Sequence, residues 1–122
     1  MTERASTEVG PLSATEFHVL MALAEGSSYG YAIMKAVAVH SEGAVTPQIG
    51  SLYRVLSRLM ETGWVSESAP PRGARMGLRG LPRRYYALTR EGRVVANAEA
   101  RRLAHVVRLA RERDLLPEGR SR

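Results

Sequence analysis

Residues 46–63 read TPQIGSLYRVLSRLMETG, and the fold of the whole chain turns on how this stretch is read. Thr46 can cap a helix, Pro47 suits a first helical turn where its missing N–H costs nothing, and Gly63 suits the left-handed residue that closes one. Between them Ile49, Leu52, Leu56, Leu59 and Met60 recur at three- and four-residue spacing, which places them on one buried stripe. The far side carries Gly50, Ser51, Arg54, Ser57 and Arg58, with no acid before Glu61. Solvated helices normally mix acids with their cations, so a face of small residues and arginines is open to close approach by something negative. A solvated face that happens to be rich in Ser and Arg is the competing reading. The residues after Gly63 decide between the two.

The chain has 122 residues and a net charge of +6, and the whole excess lies just beyond this helix. From Ser68 to Arg90 there are six arginines (Arg72, Arg75, Arg79, Arg83, Arg84 and Arg90) and no acid, while the other twelve cations balance the twelve acids. Such a patch reads as contact with a polyanion, nucleic acid ahead of an anionic membrane or an acidic protein. The length suits one small domain, of a size at which association between copies is common. With no cysteine there is no disulfide framework, thiolate metal site or thiol nucleophile. No apolar run approaches the ~20 residues of a membrane span, and the first ten residues lack the apolar core of a signal peptide. The expected location is therefore the cytoplasm.

Catalytic chemistry finds no foothold. His18, His40 and His105 fall on separate helical segments without metal-ligand spacing, and no pair of carboxylates stands near a candidate nucleophile. Gly73, Gly77 and Gly80 sit among arginines and prolines rather than ahead of a helix, so they form no phosphate-binding loop. No enzyme, metal or cofactor is expected.

Taken in order, residues 1–11 read as a loose polar arm. Ser13-Ala14-Thr15-Glu16 matches the capping box, opening a first helix whose apolar face is Phe17, Leu20, Met21, Leu23 and Ala24 and which stops at Gly26. Ser27 or Ser28 caps a second helix from about Tyr29 to His40, with Ile33, Ala36 and Val37 apolar. Residues 41–45 are a turn or a very short strand, and the 46–63 helix follows. Trp64–Glu67 and Arg84–Leu88 alternate as strands, joined by the loop 70–83 with three prolines and three glycines. That hairpin is a basic wing, its loop long enough to carry function. Thr89 caps a last helix from about Arg90 to Leu115. In it Ala96, Ala100, Leu103, Val107 and Ala110 are spaced four, three, four and three, a heptad seam longer than a domain of this size needs for its own core. Packing within the protomer competes with a dimer seam, and the dimer is favoured because no other segment remains to cover so long a stripe. Three short helices, the last presenting a cationic face, with a basic hairpin after them, make a winged helix-turn-helix. The fold class is thus mostly α with a small β-hairpin, divided into an arm (1–11), a DNA-binding domain (12–89), a C-terminal dimerisation helix (90–116) and a flexible tail (117–122).

At this point the wording of the sequence resembles the PadR family of bacterial transcriptional regulators. The resemblance rests on Tyr29-Gly30-Tyr31-Ala32-Ile33, on Gly50-Ser51-Leu52-Tyr53-Arg54-Val55-Leu56 with Arg58-Leu59 and Gly63, and on Arg83-Arg84-Tyr85-Tyr86-Ala87-Leu88-Thr89 with Gly92. These blocks span residues 29–92 in the right order and spacing. The single terminal helix is similar to the shorter branch of the family, which dimerises through it. Two departures stand out. The wing loop PPRGARMGLRGLPR is longer and richer in arginine than the family usually shows. Some members bind flat aromatic drugs through a tryptophan in the last helix, whereas the one tryptophan here, Trp64, starts the wing. The resemblance also implies a small-molecule effector site between the last helix and the first, beside Phe17 and Met21.

The expectation is a sequence-specific DNA-binding transcriptional regulator, a repressor that binds a palindromic operator in double-stranded DNA as a homodimer. Gln48, Ser51 and Arg54 enter the major groove, with Arg54 suited to bidentate recognition of guanine. Tyr53 and Arg58 hold phosphates, and Arg72, Arg75, Arg79 and Arg83 follow the backbone or the adjacent minor groove. The dimer forms through Ala96, Ala100, Leu103, Val107 and Ala110. The alternatives are a winged-helix protein-interaction module with a basic wing and a MarR-like regulator, the latter opposed by the Arg-Tyr-Tyr block.

Overall fold

A computed structural model describes residues 10–77, 80 and 83–117. Most of the expected arm, Arg79 of the wing and nearly all of the expected tail therefore lie outside the described residues. Among the described residues four helices and three short strands follow in the order α1 (Ala14–Ala24), β1 (Ser28–Tyr29), α2 (Gly30–His40), α3 (Ile49–Glu61), β2 (Val65–Ser68), β3 (Tyr85–Leu88) and α4 (Arg90–Glu112).

The helix α1 is the hub. Its capping box is complete: the Glu16 N–H donates to Ser13 Oγ at 3.1 Å and the Ser13 N–H donates to Glu16 Oε1 at 2.9 Å. Because α1 touches α2, α3, α4 and β3, it buries more than one stripe. Val19 and Ala22 join Leu20 and Leu23 inside, whereas Phe17 and Met21 are only half-buried and Ala24 is exposed. A one-face pattern undercounts a helix that is covered from several sides.

The hairpin is in fact the larger part of a three-stranded antiparallel sheet of order β1-β3-β2. Ser28 pairs with Tyr86 and Tyr29 with Tyr85, so Ser28, one of the two expected caps, and Tyr29, the expected first helical residue, are extended and spent on the ladder. The α2 helix begins where that pairing ends, with Tyr29 as its N-cap and no side-chain cap hydrogen bond. On the other edge Val65 faces Leu88 and Ser68 faces Tyr85, one residue along from the expected strand. Residues 41–45 form a turn, not a strand: the Val45 N–H donates to Ser41 Oγ at 2.9 Å, and Glu42 and Gly43 take positive φ.

In α3 the leucines expected inside are inside, with Leu52, Leu56 and Leu59 at 1% exposure or less. The start differs. Gln48 is the N-cap, with extended backbone (φ −76°, ψ 160°), so Thr46 and Pro47 precede the helix. Ile49, now the first helical residue, falls before the helix reaches the core and is 38% exposed. The C-terminus is a Schellman closure: the Trp64 N–H donates to Leu59 O and the Gly63 N–H to Met60 O, with Gly63 at φ 86°.

The joint between wing and last helix is tightly packed. Thr89 Oγ1 donates to Gly63 O at 2.6 Å and accepts from the Gly92 N–H at 3.0 Å, while the Thr89 N–H donates to Trp64 O at 3.0 Å. Any Cβ at position 92 would collide with the Trp64 carbonyl and with Leu88. Arg93, one residue on, donates from Nη2 to Ala24 O at the end of α1. The helix stops at Glu112, short of Leu115, because Asp114 takes φ 62° and the Leu115 N–H turns back to Ala110 O.

Candidate nucleic-acid interface

The outer face of α3 follows from its inner one: once the three leucines are buried, residues offset by about half a turn must face solvent. Gln48 and Arg54 are exposed and Ser51 is half-buried, and Arg54 Nη2 donates to Ser51 Oγ at 3.3 Å. Tyr53, Arg54, Ser57, Arg58 and Glu61 line a shallow open depression. Tyr53, 43% exposed, lies across the first turn of α2, where a Cβ at Gly30 would stand 2.5 Å from its hydroxyl oxygen. Two of the sequence blocks thus meet physically: Gly30 is small because the Tyr53 ring occupies the space of a side chain.

The arginines are not equivalent. Arg58 donates from Nη2 to Glu16 Oε2 at 3.3 Å, so the capping-box glutamate also holds a cation of the outer α3 face. At the stem of the wing, Arg84 makes two hydrogen bonds to Glu67, 3.1 Å from Nε and 2.9 Å from Nη2. Those bonds, ahead of the charge itself, hold the Glu67 carboxyl below the usual carboxylate range and raise Arg84 above its ordinary value. Tyr86, 1% exposed on β3, has its hydroxyl pushed up by burial and stays neutral. Arg83 instead lies over the Tyr29 ring, 4.0 Å from its centroid. Arg72 and Arg75 are exposed in and after the turn closed by the Ala74 N–H to Pro71 O. Among the described residues no carboxylate pairs with Arg54, Arg72, Arg75 or Arg83.

Along α4 the expected seam divides. Ala96 belongs to the protomer's own core, Leu103 and Ala110 are half-buried, and Ala100 and Val107 are exposed. Val106 adds an exposed neighbour at 46%. Between Ala96 and Leu103 sits Glu99, 6% exposed, which accepts 3.0 and 2.7 Å hydrogen bonds from Arg102. The Arg102 bonds hold its carboxyl below the usual range against the opposing pull of burial. Sequence reading gave Glu99 no role and assigned no arginine partner to Glu16, Glu67 or Tyr29. The i, i+3 spacing of Glu99 and Arg102 was visible, but the partners of the other three come from elements far away in the chain. Among the described residues no cluster of three His, Asp or Glu side chains could hold a metal, and no helix is long and apolar enough to cross a membrane.

Comparison with known proteins bears on the same segment. The family model described as the transcriptional regulator PadR-like family matches residues 19–98, from the middle of α1 into α4. No curated protein matches the sequence. A solved PadR family transcription regulator from Clostridium difficile superposes with a TM-score of 0.65 at 19% identity, over 82% of this chain and 97% of that one. A transcriptional regulator from Clostridium thermocellum gives 0.62 at 21%, over 80% and 87% of the two chains. A PadR family transcriptional regulator from Eggerthella lenta gives 0.55 at 26%, over 82% of each. At identities of 19% and 21% the first two are likenesses of fold.

Proposed function

This chain belongs to the PadR-like family of transcriptional regulators, and from that premise we propose that it is a repressor which binds a palindromic operator as a homodimer. One observation carries the reading. The α3 face from Gln48 to Arg58 holds no acid, and it is accompanied by wing arginines that lack carboxylate partners among the described residues. In this reading Gln48, Ser51 and Arg54 meet base edges in the major groove, and Arg54 takes the bidentate contact to guanine. Its hydrogen bond to Ser51 pre-orders the side chain on the helix surface. Tyr53 and Arg58 hold phosphates, Arg58 through the N–H groups that Glu16 leaves free. Arg72, Arg75, Arg79 and Arg83 supply the backbone and minor-groove contacts of the wing.

The dimer in this reading forms through α4, where Ala100, Leu103, Val107 and Ala110 continue the stripe that Ala96 begins in the core. Residues 12–89 then act as the DNA-binding unit and 90–116 as the dimerisation helix. The Thr89–Gly92 joint supports this division, because it ties the two parts at their boundary. In this reading a small-molecule effector binds between α1 and α4, and the half-buried, apolar Phe17 and Met21 on α1 support it. Selection of bound fragments from a random duplex library by the purified protein tests the proposal. Recovery of a two-fold symmetric sequence with half-sites about one helical turn apart is the expected result. Recovery of no enriched sequence, with no retardation of any duplex, would turn the basic face over to an acidic protein partner.

A further inference from the structure

We propose that Tyr29 is a positioning residue which presents Arg83 to a DNA phosphate, and that of the adjacent arginines 83 and 84 only Arg83 makes this contact. The inference rests on the DNA-binding reading above and deepens it. The Arg83 guanidinium carbon stands 4.0 Å from the centre of the Tyr29 ring. A guanidinium over an aromatic face is engaged through its own face, which leaves its N–H edges free to make paired hydrogen bonds to phosphate oxygens. The stack also orders a long side chain before DNA arrives, so less freedom is lost when the contact forms.

Tyr29 is itself held from two directions. Its backbone pairs with Tyr85 in the ladder, and its ring meets the Tyr85 ring edge-on, with centroids 5.5 Å apart and planes at 64°. Although Tyr29 is the N-cap of α2, its side chain makes no capping hydrogen bond and is left to the arginine. The short strand β1 thus fixes a platform under the base of the wing. Arg84 is used differently. Both of its hydrogen bonds run to Glu67 across the stem, its charge is compensated there, and it sits 5.8 Å from the Tyr86 ring centre, at the outer limit of such contacts. Arg83 has no carboxylate partner among the described residues. Two neighbouring arginines of the same sequence block therefore divide their tasks: exposed Arg84 closes the hairpin, and half-buried Arg83 lies on the Tyr29 ring with no carboxylate partner among the described residues.

Fluorescence anisotropy on a random-sequence duplex across a salt series tests this with five variants. Tyr29→Phe keeps the ring and should bind as wild type. Tyr29→Leu removes the ring and Arg83→Lys replaces the planar guanidinium with an ammonium that has no paired N–H edges; both keep the charge, so each should bind about three- to five-fold more weakly per protomer, with an unchanged salt slope. Arg83→Gln should lower the slope by about 0.9 per protomer, and Arg84→Gln should leave it unchanged. Position 83 lies outside every helix and strand, so Arg83→Lys decides the matter even where Tyr29→Leu disturbs folding. Wild-type affinity for Arg83→Lys, or a slope change in Arg84→Gln in place of Arg83→Gln, would overturn the inference and leave the DNA-binding reading standing. Failure of the wild type to bind any duplex at low salt would overturn both.

Discussion

Gly92→Ala should destabilise the protein, although alanine is the better helix former. The added methyl would occupy the space of the Trp64 carbonyl and crowd Leu88, so the start of α4 must withdraw from the base of the wing. Withdrawal breaks the hydrogen bonds from Thr89 to Gly63 O and Trp64 O, worth about 1 kcal/mol each, and adds crowding of about 1 kcal/mol or more. Against this stands a helix-propensity gain of up to ~1 kcal/mol, which leaves a net loss of roughly 2 kcal/mol. At fixed protein concentration that lowers Tm by about 8–10 °C in a domain of this size. Gly50→Ala is the matched control: position 50 is also helical, and nothing lies within 4 Å of the added carbon. It should gain about 0.4–1 kcal/mol and raise Tm by a few degrees. Thermal melts followed by circular dichroism decide. Equal Tm shifts of the same sign at the two positions would refute the argument, because the joint would then be shown to yield freely.

Two further outcomes concern α4. Leu103→Arg combined with Val107→Asp should give about half the wild-type mass by light scattering with an unchanged helical spectrum, since charge in an apolar seam costs more than a small interface supplies; an intact dimer would show that the seam lies elsewhere. Glu99 has a folded-state pKa below its ordinary 4.5, so its contribution is present above that value and is lost as pH falls through the folded pKa. Glu99→Gln should therefore lose less Tm than wild type between about pH 6 and about pH 3, with Glu67 and its own depressed carboxyl common to both proteins. Parallel loss in the two proteins would mean that the Arg102 pairing adds nothing to stability.

What could be read from the chain was whatever local chemistry decides. The leucine stripe of α3, the Ser13–Glu16 box and the Thr89 cap each depend on neighbours within a turn or two, and they appear as read. Where a distant partner intervenes, reading fails. Ser28 and Tyr29 look like a cap and a first turn until β3, more than fifty residues later, draws them into a sheet. Thr46 and Pro47 are good starting residues in isolation, yet the helix opens at Gln48, where the backbone is still extended and no side chain caps it. The cation face of α3 and the wing charge were visible as composition, but not which arginines were already engaged. Glu16 and Glu67 hold Arg58 and Arg84 across gaps of 42 and 17 residues, and no periodic pattern reports a partner at such distance.

The central claim is a division of labour, in which the wing supplies sequence-indifferent electrostatic affinity and α3 supplies preference. The most direct measurement is a salt titration of binding to selected and to scrambled duplexes by a variant lacking Arg72, Arg75 and Arg79. Each phosphate contact contributes about 0.9 to the slope of log K against log salt, so the slope should flatten by up to ~5 units if all three act in both subunits. Both duplexes should weaken alike, leaving the ratio between them unchanged. A wild-type slope in this variant would contradict the account, and so would a loss confined to the selected sequence.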